Sequence, residues 1–399
     1  MPWREPTVVE LRQELVRKHL REGISVSEVA SSYGISRKTA YKWIDRFTEQ
    51  GGPGLEDQSR APRHCPHAIA GEVAEILLEA RRKHPSWGPR KILAWLERRH
   101  TDLNLPAAST VGDLYRRQGL SRPRRRVHGP RTKLKATTYP LQPNTVWSLD
   151  YKGHFRTTNW RYCYPLTIVD GYSRYLLEAR ALDSTCHRDA RHWIERCFCV
   201  NGLPEVMRTD NGIPFALPQA TQGLSRLTVW WTRLGIRHER IEPGHPEQNG
   251  AHERMHKTLK AETVRPPASC RSEQQRRLDS FRSEYNFERP HEALENQTPS
   301  DLWKPSPRSY PKRLPLPQYP SHFEVRPVSC VGSFKFGGEV FFVGRALHGQ
   351  YVGLEEVDND LWLVYYFSLR LRQIQARNCL RLPPAALKRL AQRYLLASE

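Results

Sequence analysis

The spacing of apolar residues at the start of the chain is that of short amphipathic helices. An apolar stripe with charges opposite predicts a first helix over residues 7–21. Ser25 and Ser36 stand where helix N-caps belong, and Gly34 between them predicts a tight turn. Two short helices joined by such a turn are the layout of a helix-turn-helix unit, which we expect over residues 1–55.

One face of the second helix of this unit is basic and polar. Its apolar residues and those of the preceding helix and turn are expected to face inward; they are Val29, Ala30, Ile35, Ala40, Ile44 and Phe47. The opposite face would enter a DNA major groove. We assign to DNA contact Arg37, Lys38, Thr39, Tyr41 and Lys42. The alternative is a helical hairpin with a solvated basic face, since the pattern also arises by chance.

A second group of helical patterns follows a polar linker. It covers residues 72–83, 90–99 and 109–118, and it predicts a second helix-turn-helix or winged-helix domain over residues 62–121.

Residues 116–135 contain nine Lys or Arg and no acidic residue. Charge of this density opposes packing, so we expect residues 122–140 to form a basic linker that follows DNA phosphates through Arg124, Arg125 and Arg126. The alternative is a linker that is merely solvated.

The pattern changes to short β-rich runs from residue 145 onward. Three such runs, followed by alternating helices and strands, predict an α/β domain over residues 141–304. A Pro-rich stretch at 305–320 then precedes alternating runs and hairpin turns that predict a small β-barrel over 320–378. Residues 379–399 read as a basic helix. The fold class is therefore multidomain, with all-α units, an α/β core and a β-barrel.

Charge and hydropathy narrow the class of partner. The formal net charge of +21 favours a polyanion such as nucleic acid. No apolar run approaches the roughly 18 residues that cross a bilayer, and the first ten residues lack the layout of a signal peptide. We therefore expect a cytoplasmic protein that binds nucleic acid and has no membrane partner.

Three carboxylates lie at the ends of predicted elements in the α/β region. Asp150 and Asp210 each end a strand, and Glu253 begins a helix. Carboxylates at such positions can converge on one sheet edge and hold hard cations such as Mg²⁺. An Asp at a strand end is more often a turn former or cap. The residues alone do not rank these three above the carboxylates in comparable positions, which are Asp170, Asp183 and Glu242.

The segments WSLDYKG, RTDNGIPF and HPEQNGAHERMHKTLK resemble the integrase-core transposases of bacterial insertion sequences, relatives of the retroviral integrases with the DDE motif. In that family the first Asp follows a Trp-containing strand, as Asp150 does. The second precedes Asn-Gly, as Asp210 does. The Glu comes three residues after the Gly of a Gln/Asn-Gly turn, which fits Glu253 and excludes Glu242 and Glu247.

The resemblance implies an RNase H-like core with Asp150, Asp210 and Glu253 as catalytic residues and metal ligands for two Mg²⁺ (or Mn²⁺) ions. It implies an enzyme that binds the inverted repeats of a mobile element as double-stranded DNA, cleaves 3′ ends and joins them to target DNA. Such an enzyme acts as a dimer or larger homo-oligomer on DNA. We assign DNA contacts in this region to Asn249, Lys257 and Lys260.

The segment between Asp210 and Glu253 is longer than in the family pattern, so we expect an insertion between Phe215 and Trp230. Two other functions compete with a transposase. One is a DNA-binding regulator built on an inactive integrase core, against which the intact carboxylates argue, because they would repel DNA. The other is an RNase H or structure-selective nuclease, which the helix-turn-helix units make a poorer fit.

Overall fold

A computed structural model describes residues 6–59, 69–121, 138–216 and 223–376 of the 399. The chain divides into two compact units, residues 1–69 and 70–399, each of which is described by itself. The basic triplet from Arg124 to Arg126 and the predicted C-terminal helix over 379–399 lie outside the described residues. None of the helices in the described ranges is long and apolar enough to cross a membrane.

The first unit is a three-helix domain, with α1 at Val8–Leu20, α2 at Val26–Ser32 and α3 at Arg37–Gln50. Ser25 caps α2 in a capping box with Glu28, and Ser36 caps α3. Gly34 has φ of 63°, which suits the tight turn between them. The predicted inward residues are buried or partly buried in one core, together with Trp43. The helix-turn-helix prediction is confirmed.

The second unit begins with three more helices, α4 at Gly71–Lys83, α5 at Pro89–Glu97 and α6 at Ala108–Arg117. Residues 69–121 contain these three helices and no strand, so the described part of this domain is helical. It is joined to the helices that follow the sheet by contacts between polar side chains. Among these are His84 Nδ1 with Glu284 at 3.0 Å and Arg98 with Asp301 at 2.7 Å.

The centre of the second unit is a mixed sheet. Along it the strands run in the order β2-β3-β1-β5-β6, and β4 also pairs with β3. Strands β1, β3 and β4 are antiparallel neighbours, while β5 lies parallel to β1, and β6 parallel to β5. Their bounds are β1 Val146–Tyr151, β2 Phe155–Arg156, β3 Tyr162–Asp170, β4 Leu176–Leu182, β5 Val206–Thr209 and β6 Arg237–Arg240.

Helices cover both faces of this sheet. One face packs on α7, His187–Asn201, and α8, Arg226–Arg233. The other packs on α9, Gly250–Thr263, and α10, Arg271–Phe287; the short α11, Pro299–Leu302, follows. Side chains of one strand alternate between the two cores because successive residues of a strand point to opposite faces. The predicted central α/β core is confirmed.

The C-terminal region consists of two small sheets. Strands β7, β10, β11 and β12 form one antiparallel sheet in the order β12-β11-β10-β7, and β8 and β9 form a hairpin through Gly337-Gly338. The bounds are β7 Glu324–Pro327, β8 Ser333–Phe336, β9 Glu339–Phe342, β10 Tyr351–Asp358, β11 Leu361–Tyr366 and β12 Leu369–Gln375.

The predicted β-barrel is not confirmed, because the sheets do not close on each other within the described residues. The hairpin instead supplies Phe334 and Phe336 to a core shared with the four-stranded sheet. Leu224, just before α8, and Val229, within α8, complete that core. The apolar face is therefore buried by layering, and closure of the strands is not needed to cover it.

The Pro-rich stretch after α11 is held against the α/β core. The Arg308 guanidinium donates to the carbonyls of Pro204, Leu234 and Gly235 at 2.8–3.1 Å. A Cβ on Gly202 would lie 2.6 Å from the carbonyl oxygen of Ser306, so only glycine permits this close approach.

Asp170, at the end of β3, is completely buried and acts within the fold. Its carboxylate accepts hydrogen bonds from the backbone N–H of Asn144 at 2.8 Å and from the N–H and hydroxyl of Ser173 at 2.8 and 2.7 Å. It therefore ties the segment before β1 to the turn after β3.

We expect Asp170→Asn to lower the free energy of unfolding by about 1–3 kcal/mol, because an amide NH₂ would face one of these donors and leave it unpaired. Urea unfolding at neutral pH measures the change. Asp183→Asn is the control at an exposed carboxylate, and a loss no larger than in that control would contradict the structural role.

Candidate metal centre

Two neighbouring strands and one helix place the three predicted carboxylates. Asp150 is the second-last residue of β1, and Asp210 directly follows β5. The parallel register pairs Leu149 with Thr209, so the two Asp residues leave the sheet side by side. Glu253 lies in the first turn of α9, which covers one face of the sheet. The expected positions at strand ends and at a helix N-terminus are thus observed.

Asp150 is the most perturbed of the three. Burial, followed by the negative charge of Asp210 and then that of Glu253, raises the pKa of its carboxyl from 3.8 to about 7. The backbone N–H of Tyr151 and the charge of Lys152 act in the opposite direction. Asp210 and Glu253 are therefore both within electrostatic reach of Asp150.

Glycine permits the chain to turn closely around Asp210. The N–H of Gly212 donates to Asp210 Oδ1 at 3.1 Å, and a Cβ on Gly212 would lie 3.0 Å from Oδ2. Asn211 donates to the carbonyl of Ile241 at 2.7 Å, which fixes the loop to the end of β6. Asn211 and Gly212 thus hold the loop that follows Asp210 in place.

A pair of histidines on α9 lies behind Asp150. His252 and His256, one helical turn apart, both contact the Thr167 hydroxyl of β3 through Nε2 at 2.7 Å. Nδ1 of His256 is 3.6 Å from Asp150 Oδ2. Among the described residues, Asp150 and these two histidines have ligand atoms within 4.8 Å of one another, a group that does not include Asp210 or Glu253.

Sequence reasoning missed both histidines. A signal was present, since the i, i+4 spacing of His252 and His256 around Glu253 puts two imidazoles on one helix face. Burial lowers the pKa of His252 to about 3 and that of His256 to about 2, so both rings are neutral at physiological pH.

The other carboxylates in comparable positions are occupied elsewhere. Asp170 holds the fold as described above, and Asp183 is exposed and paired with Arg271. Glu247 accepts a hydrogen bond from His245 Nδ1 at 2.8 Å if that ring nitrogen carries the proton. Glu242 is half-buried in the loop after β6. The structure thus distinguishes residues that the sequence alone could not rank.

The residues assigned to DNA contact differ in exposure. On α3, Arg37, Lys38, Tyr41 and Lys42 are exposed, while Thr39 is half-buried with its hydroxyl 2.8 Å from that of Ser36. On α9, Lys257 and Lys260 are exposed. Asn249, which precedes α9, is buried, with 7% of its surface exposed, a position that does not fit a direct phosphate contact.

The donor set around Asp150 fits a divalent cation. Carboxylate oxygens are the ligands that Mg²⁺ and Mn²⁺ prefer, and a neutral imidazole is a ligand for transition metals. The raised pKa of Asp150 shows that negative charge here is costly and that a cation would offset the cost.

The pKa of Asp150 predicts how stability depends on pH. Because the folded-state pKa is raised from 3.8 to about 7, the folded protein binds the proton more tightly, and stability falls as pH rises from about 4 to about 7. We expect Asp150→Asn, without divalent cations, to raise the free energy of unfolding by up to about 4 kcal/mol at pH 8. At pH 4 it should have little effect.

Chemical denaturation in EDTA at both pH values measures the difference. Asp183→Asn, at an exposed carboxylate, is the control and should be nearly neutral at each pH. An Asp150→Asn effect of the same size at pH 4 and pH 8 would show that the charge of this carboxyl is not the cause.

Comparisons with known proteins identify the domains of the chain. Family models described as integrase core domain match residues 140–246 and 234–299. A helix-turn-helix domain model matches residues 11–63, and a homeodomain-like domain model matches residues 39–115. The matched ranges cover the first unit, the domain of α4 to α6 and the α/β core.

Relatives include proteins of bacterial insertion elements. The IS407 uncharacterized 31.7 kDa protein of Burkholderia multivorans is 27% identical over 243 residues, which are 60% of this chain and 82% of that protein. The IS476 uncharacterized 39.2 kDa protein of Xanthomonas euvesicatoria is 29% identical over 180 residues, 45% of this chain and about half, 49%, of that protein.

Among solved structures, the HTLV-2 integrase catalytic core domain in complex with magnesium matches 41% of this chain and 97% of its own, at 16% identity and a TM-score of 0.33. On the family models and the insertion-element relatives, this chain belongs to the bacterial insertion-sequence transposases of the retroviral integrase superfamily.

Proposed function

We propose that this chain binds the terminal inverted repeats of a mobile element, cleaves its 3′ ends and transfers them to target DNA at Asp150, Asp210 and Glu253. The observation that carries the proposal is the parallel pairing of β1 with β5, which places Asp150 and Asp210 side by side, while Glu253 lies in the first turn of the helix packed on the same sheet. Repulsion of Asp150 by two nearby carboxylates destabilises the fold. Binding of divalent cations would offset this repulsion.

Asp150, Asp210 and Glu253 would hold the cations. Two Mg²⁺ or Mn²⁺ ions would supply activation of the attacking oxygen and stabilisation of the leaving oxygen in phosphoryl transfer. The chain's own contribution is to orient the DNA strand. Lys257 and Lys260 are exposed on α9, one and two turns beyond Glu253, where their ammonium groups can bind backbone phosphates.

The first unit would select the DNA. Its α3 presents a basic face that no other helix of the unit covers, and Ser36 caps the helix so that its N-terminal end is well defined. N-terminal residues of such a helix contact base edges in the major groove. Exposed Arg37, Lys38 and Lys42 supply donors for that contact.

Insertion requires more than one chain. Two element ends are joined to one target, and a single chain carries one set of three carboxylates. The protein would therefore act as a dimer or larger assembly on DNA in the bacterial cytoplasm. Residues 122–140, between the recognition domains and the core, would bind phosphates through Arg124, Arg125 and Arg126.

We expect Asp150→Asn, Asp210→Asn and Glu253→Gln each to lower strand cleavage and transfer by more than about 100-fold, because each removes one ligand charge and preserves shape. Labelled element ends with Mg²⁺ or Mn²⁺ provide the assay, and electrophoretic mobility shift checks that DNA binding is retained.

Asp183→Asn is the matched control, with the same chemical change at an exposed carboxylate of the core. Full activity in a triad variant would remove that residue from the site. Binding of the ends without any metal-dependent cleavage by the wild type would favour a DNA-binding regulator on an inactive core.

Recognition has its own test on α3. Alanine at Arg37, Lys38 or Lys42 should cost about 1–3 kcal/mol of discrimination between element ends and random DNA, if the side chain contacts a base edge. Arg21→Ala, an exposed arginine just after α1, is the control for loss of charge. Equal losses on both DNAs would show that these residues contact phosphates alone.

A further inference from the structure

The Thr167 hydroxyl decides which nitrogens of the two α9 histidines carry protons. It contacts three groups, namely the carbonyl oxygen of Asp150 at 3.1 Å and Nε2 of His252 and of His256 at 2.7 Å each. If all three contacts are hydrogen bonds, the single hydroxyl proton goes to the carbonyl of Asp150, because a carbonyl oxygen can only accept. Both rings must then donate Nε2–H to the hydroxyl oxygen.

This assignment leaves Nδ1 of each neutral ring with an unshared electron pair. Nδ1 of His252 is buried and has no hydrogen-bond partner among the described residues. Nδ1 of His256 instead faces Asp150 Oδ2 at 3.6 Å, which is too long for a hydrogen bond. An electron pair and a carboxylate oxygen thus face each other across a short gap at the candidate metal centre.

The gap has the size that one cation requires. Two ligand atoms that each lie about 2.1 Å from one metal ion are at most about 4.2 Å apart, and 3.6 Å lies within that limit. His256 is held in this orientation from behind, since its other nitrogen is bonded to Thr167 on the neighbouring strand. Such a bond to the second nitrogen is the usual support of a metal-binding histidine.

We propose that His256 Nδ1 is a metal ligand beside Asp150 and that the centre consequently prefers a divalent transition-metal ion to Mg²⁺. The proposal rests on the proposed function, because it concerns the same metal centre. Nitrogen ligation favours transition metals, whereas Mg²⁺ prefers carboxylate, carbonyl and water oxygens. His252 has a different role, which is to hold the Thr167 hydroxyl in place.

Pulsed electron paramagnetic resonance of Mn²⁺ bound to the full-length protein tests the ligand directly and without DNA. Wild-type protein should show nitrogen modulation typical of a coordinated imidazole. Protein labelled with ¹⁵N-histidine should show the corresponding ¹⁵N frequencies. Bound Mn²⁺ without imidazole coupling would overturn the proposal, and no variant is needed for that result.

Two variants separate ligation from support of the fold. His256→Gln can keep an N–H donor to Thr167 but loses Nδ1, while His256→Asn places an amide oxygen near Nδ1 and loses the Thr167 bond. Imidazole coupling should disappear in both. It should persist in His245→Gln, the matched control at an exposed histidine in the loop before α9. Coupling that survives in both His256 variants would contradict the proposal.

Competition titrations measure the preference. His256→Gln should weaken Mn²⁺ binding by about 10-fold or more and Mg²⁺ binding by less, so the Mn²⁺ to Mg²⁺ affinity ratio falls. An unchanged ratio would overturn the preference. Imidazole coupling in a protein that does not cleave element ends would disprove the proposed function alone. Cleavage by a protein whose bound Mn²⁺ shows no such coupling would disprove this inference alone.

Discussion

The electrostatic cost of the half-buried Asp150 carboxylate beside two others is the constraint on which the arrangement of the second unit depends. Parallel pairing of β1 with β5 forces Asp150 and Asp210 together at one end of the sheet. The packing of α9 on the sheet then brings Glu253 within electrostatic reach. Rigid elements must hold this arrangement, since flexible ones would let like charges separate.

The layers of the fold supply that rigidity. Apolar residues on both faces of the sheet pack on two pairs of helices. The domain of α4 to α6 is attached to this body by the contact of His84 with Glu284 and the ion pair of Arg98 with Asp301. Thr167 is fully buried in the middle of β3, and its contribution to the fold comes from its hydroxyl group. Its hydroxyl links the backbone at Asp150 to α9, and so it connects the strand and the helix that carry two of the three carboxylates.

Local features of the chain were readable from the sequence, and contacts between distant segments were not. Ser25, Gly34 and Ser36 predicted the boundaries of α2 and α3 because caps and turns depend on neighbouring residues. The strand-end positions of Asp150 and Asp210 followed from β-rich runs and turn residues. Barrel closure depends on pairing between distant strands, which alternation within each strand does not encode, and the role of Thr167 depends on α9 packing against β3.

The attachment of Arg308 to the carbonyls at the ends of the core elements changes what the Pro-rich stretch can do. A Pro-rich connection between domains is commonly a semi-rigid spacer whose ends are free to reorient. Here Arg308 fastens the first part of the connection to the core, and Arg233 holds the carbonyls of Leu314 and Pro315 further along, so residues 316–323 separate this second attachment from β7. The connection to those sheets therefore starts from a fixed point on the core. Insertion or deletion of residues before Arg308 would strain this attachment and would not lengthen the connection between the core and the sheets.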